Sequence, residues 1–374
     1  MKTLRSILVL ALGAMLIVGC KNSGEKTLTS ATGSIYECLV VIDDKALTQE
    51  QLDLIASKKL VNEASAYSEP ITNTYELVKA IMEADMPCMP QMEPYFNLTH
   101  VSVAMFDELF KPTRNILYVD INPERYTQLK VKVSTDNWST PQAMCRIQAA
   151  SQEEFVNYWL ENGEGIRDWF VNQELLRQAK FYRGGSNKEA CKKLEKYRYN
   201  ILIPSDYVLV KDTVVLVESG KSIVESKGEE VHVVWCCNNK GSMRRDVLVY
   251  SYPYIDAKAF TKEELNARRD AVLSQLVTGS VDGSFMGTEY KVMPPQMRTI
   301  LVQDSAQAYE IKGLWKILNG EAMGGPYVSH TRLDHVNGRV VTAESFIYAA
   351  GQKKRNALRQ AEAVLYTLQL PEDK

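Results

Sequence analysis

A short apolar run near the amino end limits which residues can belong to the folded protein. Ile7–Val18 is twelve residues long, carries no charge, and follows the cations Lys2 and Arg5. A helix needs about 20 apolar residues to cross the ~30 Å hydrocarbon core of a bilayer, so this run is too short for a stable span. Its length is typical of the core of a cleavable signal peptide. We therefore predict that residues 1–19 are a lipoprotein signal peptide and are removed.

The apolar run ends in Ile17-Val18-Gly19-Cys20, which resembles the lipobox of bacterial lipoproteins. In that motif the cysteine thiol accepts a diacylglycerol, and the small residue before it gives a peptidase access to the bond. The alternatives are an ordinary secretory signal with a chance cysteine, and an uncleaved anchor. Burial of lipid contributes about 0.8 kcal/mol per CH₂, so two or more chains hold a protein firmly to a membrane. We predict lipidation at Cys20, and a membrane as the partner reached through that lipid.

Residues 20–34 are polar and small, without apolar periodicity, and are predicted to form the acylated cysteine and a flexible tether. The r.m.s. span of such a tether is about 20 Å. A lipid-anchored position in the cell envelope follows. Surface-export signals place acids directly after the cysteine, whereas here only Glu25 is near, which favours the outer membrane and its periplasmic face.

The charge balance argues against a nucleic-acid partner. The chain has 44 basic and 46 acidic residues, and loss of the signal peptide removes two of the bases. Nucleic-acid binding normally needs a basic surface. Six cysteines follow Cys20, and an even number permits disulfides in an oxidising compartment. However, Cys38, Cys145 and Cys236 lie in apolar runs, where cysteine often behaves as a small buried hydrophobe. We expect mostly free thiols.

Helix starts and β-branched runs together predict an α+β fold. Thr48–Gln51, Ser151–Glu154 and Thr261–Glu264 each match the capping box, and Asn73 begins a looser version. Asn337-Gly338 predicts a two-residue type I′ hairpin between two late strands, and a closing helix is expected over 352–368. Strand runs mixed with a few helices favour mostly antiparallel sheets with several capped helices. We place two α+β domains or halves at 35–200 and 201–374, with similarity between them left open.

A resemblance extends over essentially the whole mature chain. Its motifs, in order, are the lipobox, Tyr36–Asp44, Arg114-Asn115-Ile116, Tyr252-Pro253-Tyr254, Ser284–Glu289, Gly313-Leu314-Trp315 and Met323–Tyr327. Together they resemble a family of Bacteroidetes lipoproteins known only as a domain of unknown function. The resemblance implies an envelope location and gives no activity.

No established catalytic, cofactor or metal motif is present. The spacing Gly-x-Ser-x-Gly fails at Gly283–Gly287, and the sequence has neither a phosphate-binding Gly-x-x-x-x-Gly-Lys loop nor a His-Glu-x-x-His zinc helix. His330, Asp334 and His335 are close in sequence, but an extended strand points His335 away from the other two. We predict no catalytic residues, no cofactor and no metal.

Two groups of residues are candidates for binding. Lys353, Lys354 and Arg355 fall in the first turn of the closing helix, where cations oppose the helix dipole and free amides can hold an anion. The alternative is that Glu344 or another acid neutralises them. The second group is Gly287, Trp315, Gly324 and Gly325, which could line a cleft with the tryptophan as a stacking platform. Its alternative is turn structure around a core tryptophan.

These observations favour an envelope lipoprotein that binds or organises something without catalysing a reaction, with a small anionic ligand or an envelope protein as partner. The alternative is an envelope hydrolase acting on glycan or peptide. An enzyme should gather ionisable groups with shifted pKa values in a concave pocket. A binding module should present an aromatic or basic groove instead. A basic run from Lys188 to Arg198 could also rest on anionic headgroups.

Overall fold

A computed structural model describes residues 28–58, 70–217, 229–302 and 306–373. The predicted signal peptide and Cys20 lie outside these residues. The six α-helices of the described residues are α1 Gln49–Ser57, α2 Thr74–Met82, α3 Gln152–Arg183, α4 Lys188–Glu195, α5 Lys262–Leu276 and α6 Arg355–Leu365.

The same residues contain fifteen strands. They are β1 Thr29–Ser30, β2 Glu37–Val41, β3 Asn97–Val101, β4 Asn115–Ile121, β5 Lys130–Thr135, β6 Ser139–Thr140, β7 Ala143–Ala149, β8 Val208–Val217, β9 Glu229–Asn238, β10 Arg244–Pro253, β11 Phe285–Thr288, β12 Gln296–Val302, β13 Ala306–Leu318, β14 Gly324–Asp334 and β15 Arg339–Tyr348. Most strand pairs are antiparallel, which confirms the predicted α+β class.

The predicted helix caps are confirmed at all four positions. The side chains of Thr48, Asn73, Ser151 and Thr261 each accept a hydrogen bond from the backbone N–H three residues further on. Such a bond satisfies one of the amides that the first helical turn leaves without a partner. The start of a helix is therefore readable here because the cap is a local interaction.

The two main sheets differ in topology. The first has the order β3-β2-β4-β7-β5, in which four strands are parallel and only β5 runs antiparallel. The second contains β8 to β15, and every pair in it is antiparallel. The similarity between halves that the sequence left open is not seen in this topology. Parallel strands need crossover connections, and the run α1–α2 supplies one between β2 and β3.

The sheets share one continuous core. Helices α3 and α6 pack together, and their apolar residues form one cluster with Cys38, Leu117 and Ile147 of the first sheet and with Val249 and Val341 of the second. The other face of the second sheet packs against α5. The other face of the first sheet carries a smaller cluster, and the loop 102–113 covers part of it.

Three local expectations need correction. The tether does not extend to Ser34, because β1 pairs with β6 and Thr32 bridges to Thr113. The late hairpin is present, but its loop has four residues, 335–338, since Asp334 pairs with Arg339. Only Gly338 there has a positive φ, whereas a type I′ turn needs two such residues. The closing helix is shorter than expected, beginning at Arg355.

All six described cysteines are free thiols, and five of them are buried. Burial raises the pKa of Cys145 and Cys236 to about 12 in each case. A thiol rather than a thiolate is the stable form at such positions, which agrees with their role as small core residues.

Candidate functional site

The predicted anion site at the start of α6 is filled by an acid of the chain itself. The carboxylate of Glu93, a nearly fully buried residue, accepts hydrogen bonds from the backbone N–H of Lys354 at 2.7 Å and of Arg355 at 2.9 Å. The Arg355 guanidinium also donates to the Pro94 carbonyl, while Lys353 is exposed. The helix dipole and the cations are therefore offset by an internal carboxylate.

Glu344, which the sequence suggested as the neutralising acid, lies elsewhere. It is fully buried on β15 and pairs with Arg269 of α5 at 2.8 Å. The Arg269 guanidinium lies 3.6 Å from the centre of the Tyr327 ring and donates to Thr288. Burial raises the pKa of Glu344, although Arg269 opposes the rise. This ion pair joins α5 to the second sheet.

The residues of the predicted cleft are adjacent in the structure but closely packed. In the register of the second sheet, Gly287 pairs with Lys316 and Gly325 pairs with Trp315. A Cβ on Gly324 would lie 2.6 Å from the Trp315 carbonyl oxygen, and one on Gly325 would collide with the Ile347 carbonyl. Trp315 is buried, and its indole N–H donates to Ile347 at 3.2 Å. The glycines thus allow strands and the indole to approach closely.

A buried group of ionisable residues forms where α6 crosses the second sheet. Glu310 of β13, His330 of β14 and Glu362 of α6 place one ligand atom each within 4.8 Å of one another. His330 is therefore near Glu310, not near Asp334, which pairs with Arg339. The sequence reasoning missed this group because its members come from three separate elements.

Cations of the same chain already neutralise this group. The Lys312 Nζ atom lies 3.3 Å from Glu310 and 3.2 Å from Glu362, while Arg298 binds Glu310 at 2.6 Å. Arg359 pairs with Glu362 at 2.9 Å. Burial alone would raise the pKa of Glu310, but Lys312, His330 and Arg298 hold it well below its ordinary value. The carboxylates and imidazole could ligate a metal by type, but a divalent ion would face the ammonium of Lys312.

The outer face of the first sheet carries a pocket of a different kind. The pocket has a volume of about 310 Å³ and is lined by Lys132, Ser134, Asn137, Trp138, Met144 and Arg146. None of these six residues is acidic. We call this the Trp138 pocket. It is an open depression beside a partly exposed indole, with an amide, a hydroxyl and two cations around it.

The two cations of the Trp138 pocket lie directly opposite each other. Lys132 of β5 and Arg146 of β7 are register partners in the antiparallel pair. Like charges at such positions destabilise a sheet. None of the ion pairs found among the described residues involves Lys132 or Arg146. Arg146 lies over the Tyr118 ring at 4.9 Å instead.

Aromatic contacts hold the wall of this pocket in place. The Trp138 ring packs against Phe106 with centroids 5.9 Å apart, and Phe106 meets Tyr118 edge-on at 5.5 Å. Asn137 donates to Ser134 at 2.8 Å. Lys130, Lys132 and Ser134 alternate along β5 and share one face of it. The position of Lys132 opposite Arg146 cannot be read from the sequence, because register is a tertiary property.

Comparison with known protein families divides the chain near the start of α4. Two family models match. Residues 55–183 match a domain of unknown function (DUF8532), and residues 186–367 match another domain of unknown function (DUF4837). No curated protein matches this sequence. These matches cover most of the chain between them, and neither gives a chemical role to any residue.

Among the helices of the described residues, none has both the length and the apolar character needed to cross a membrane.

Proposed function

We propose that this protein is a lipid-anchored module of the cell envelope that binds an anionic ligand in the Trp138 pocket and catalyses no reaction. The anchor is the lipid on Cys20, and the location is the periplasmic face of the outer membrane. The proposal rests on one observation above all, which is that two cations oppose each other in an open pocket that has no acid in its lining.

The chemistry of the pocket indicates the class of ligand. An anion between Lys132 and Arg146 would remove their mutual repulsion and gain charge-assisted hydrogen bonds. Trp138 and Met144 offer an apolar surface for the body of the same molecule. A ligand with a phosphate, sulfate or carboxylate group on a flat or apolar body fits these features.

A hydrolase receives less support from the same structure. Its catalytic groups should line an open pocket. One compact group of ionisable residues, Glu310, His330 and Glu362, is instead buried, and Lys312, Arg298 and Arg359 form ion pairs with its carboxylates.

Calorimetric titration with three probes tests the binding site. Phenyl phosphate carries both the charge and the ring, inorganic phosphate only the charge, and phenol only the ring. We expect phenyl phosphate to bind most tightly. Lys132→Ala with Arg146→Ala should weaken it by about tenfold or more, since each charge-assisted hydrogen bond is worth about 1.5–3 kcal/mol. Trp138→Ala should weaken phenyl phosphate more than phosphate.

The matched control for the pocket is Lys188→Ala with Lys192→Ala, two cations of α4 outside the lining. This variant should bind phenyl phosphate as the unaltered chain does. An equal loss in the control, or the absence of any binding at millimolar phenyl phosphate, would exclude the proposed site.

The anchor is tested separately by mass spectrometry of protein recovered from native membranes. A diacylglyceryl thioether on an amino-terminal Cys20 is expected, and Cys20→Ser should move the protein out of the membrane fraction. A processed chain with an unmodified thiol, recovered from the aqueous fraction, would contradict the anchor and leave the pocket result unaffected.

A further inference from the structure

The loop 102–113, which closes the outer face of the first sheet, buries some apolar residues and exposes others. Val103, Phe106 and Phe110 pack against the sheet. Met105 and Leu109 point outward, with 63% and 78% of their surface exposed. Single exposed apolar residues are common on protein surfaces, but these two lie on the same short loop. Phe106, which lies between them in sequence, packs against Trp138.

Three cations lie at the Trp138 ring or in its pocket. Lys132 and Arg146 lie in the Trp138 pocket, and the Lys111 ammonium lies 5.8 Å from the centre of the Trp138 ring. The loop has two acids of its own. Glu108 pairs with Lys111, and Asp107 accepts a hydrogen bond from the Leu109 backbone N–H. Both acids are thus used locally, whereas Lys132 and Arg146 form no ion pair with an acid among the described residues, and Arg146 contacts only the face of Tyr118.

The described residues begin at the same place. Thr29 and Ser30 of β1 pair in parallel with Ser139 and Thr140 of β6. Continuing this register by one residue places Leu28 opposite Trp138. Leu28, the residue before β1, is eight residues from Cys20 in the sequence. Eight residues reach at most about 28 Å when fully extended. A lipid on Cys20 therefore keeps the Trp138 side of the molecule close to the membrane surface.

We infer that Met105, Leu109, Trp138, Lys132 and Arg146 form a membrane-contact surface, whose partner is a bilayer containing anionic phospholipids. The inference rests on the proposed function and gives the Trp138 pocket its ligand, a lipid headgroup phosphate. Tryptophan and cations are suited to the interfacial region, and two exposed apolar side chains can enter the acyl boundary beneath it. The lipid on Cys20 and this surface then hold the protein in one orientation.

Vesicle flotation tests this surface without the lipid anchor. The mature chain, residues 20–374 carrying Cys20→Ser, is mixed with vesicles of phosphatidylethanolamine containing phosphatidylglycerol. We expect it to bind, and to bind less when phosphatidylcholine replaces phosphatidylglycerol. Met105→Asp with Leu109→Asp should lower binding by about tenfold or more, because each apolar side chain loses its transfer into the acyl boundary.

Neutralising the two cations of the Trp138 pocket gives a second flotation test. Lys132→Gln with Arg146→Gln should weaken binding to the anionic vesicles by about 30-fold, since each cation near such a surface is worth about 1 kcal/mol. The matched apolar control is Met92→Asp with Leu216→Asp, whose parent side chains are 59% and 60% exposed on other parts of the chain. This control should bind within twofold of the unaltered chain.

The results separate the inference from the proposed function. Met105→Ser with Leu109→Ser, which adds no charge, should leave phenyl phosphate binding unchanged, because these residues do not line the pocket. Phenyl phosphate binding without vesicle binding would overturn the membrane surface and keep the pocket as a site for a soluble anion. Loss of vesicle binding in Lys188→Glu with Lys192→Glu, but not in the loop variant, would move the contact to α4 and also overturn it.

Discussion

The Trp138 pocket on the outer face of the first sheet and the helix-covered faces of both sheets differ in whether their cations form ion pairs with acids. In the interior, Arg269 meets Glu344, Arg359 meets Glu362, and Arg114 meets Glu174. On the outer face, Lys132 and Arg146 are register partners, and neither forms an ion pair with any acid that the structure describes. A buried charge must be paired because its desolvation is costly, whereas a charge at an open pocket is stabilised by water and stays available. This difference in pairing is the basis of the proposed binding site.

The largest effect on stability is expected at the buried Arg269–Glu344 pair. Glu344→Ala leaves a buried guanidinium without its partner and should lower the free energy of unfolding by about 3–5 kcal/mol. Arg146→Ala removes a cation that has no acid partner and should change it by less than about 0.5 kcal/mol. Urea unfolding of both variants measures the difference. Equal losses would mean that the outer cations are structural as well.

Glu93 provides the next test, because its carboxylate lies at the start of α6, where the sequence predicted an external anion. Glu93→Ala removes both acceptors from the first-turn amides and should destabilise the protein by about 2 kcal/mol. Glu93→Gln keeps one acceptor and should cost less. Thermal unfolding compares the two variants, with added phosphate as a further condition. Recovery of Glu93→Ala by phosphate would show that the amides accept a free anion once the internal carboxylate is gone.

Acid should weaken the second sheet through three carboxylates. Burial alone would raise the pKa of Glu310, of Asp334 and of Asp373. Lys312 at Glu310, Asn337 with Arg339 at Asp334, and Arg332 at Asp373 instead hold each pKa below its ordinary value. A carboxylate whose pKa is lower in the folded than in the unfolded state stabilises the folded state when the pH is above the unfolded pKa, which is about 4 for these groups. That stabilisation is lost as the pH falls through the folded value. The unfolding temperature should therefore drop below about pH 4. Asp373→Asn should make the drop shallower, and an unchanged slope would remove Asp373 from this account.

The smallest effect concerns the opposed cations themselves. Lys132→Ala ends a like-charge cross-strand contact and should raise the free energy of unfolding by about 0.2–0.5 kcal/mol. The matched control is Lys130→Ala on the same strand, because Lys130 faces the neutral Gln148. Low-salt urea unfolding gives the largest signal, since salt screens exposed charges. A destabilised Lys132→Ala variant would argue that the two cations do not repel each other.

Local interactions made part of this structure readable from the amino-acid order alone. The caps at Thr48, Ser151 and Thr261 lie where the sequence places them, since a capping side chain and its amide are three residues apart. The β-branched and apolar runs of the sequence likewise form strands, as in β4 and β7. The signal peptide and the lipidation of Cys20 were also inferred from a local pattern, and both remain predictions.

Contacts between distant segments decided everything that concerns the candidate sites. No local pattern brings Glu93 to the start of α6, 261 residues away in sequence for its Lys354 contact. The parallel order of the first sheet depends on crossover connections, and the opposition of Lys132 to Arg146 depends on strand register, which a shift of one residue would abolish. Sequence alone identified charged and aromatic residues able to bind a ligand. Only the fold determined which charges are already paired and which remain open to solvent.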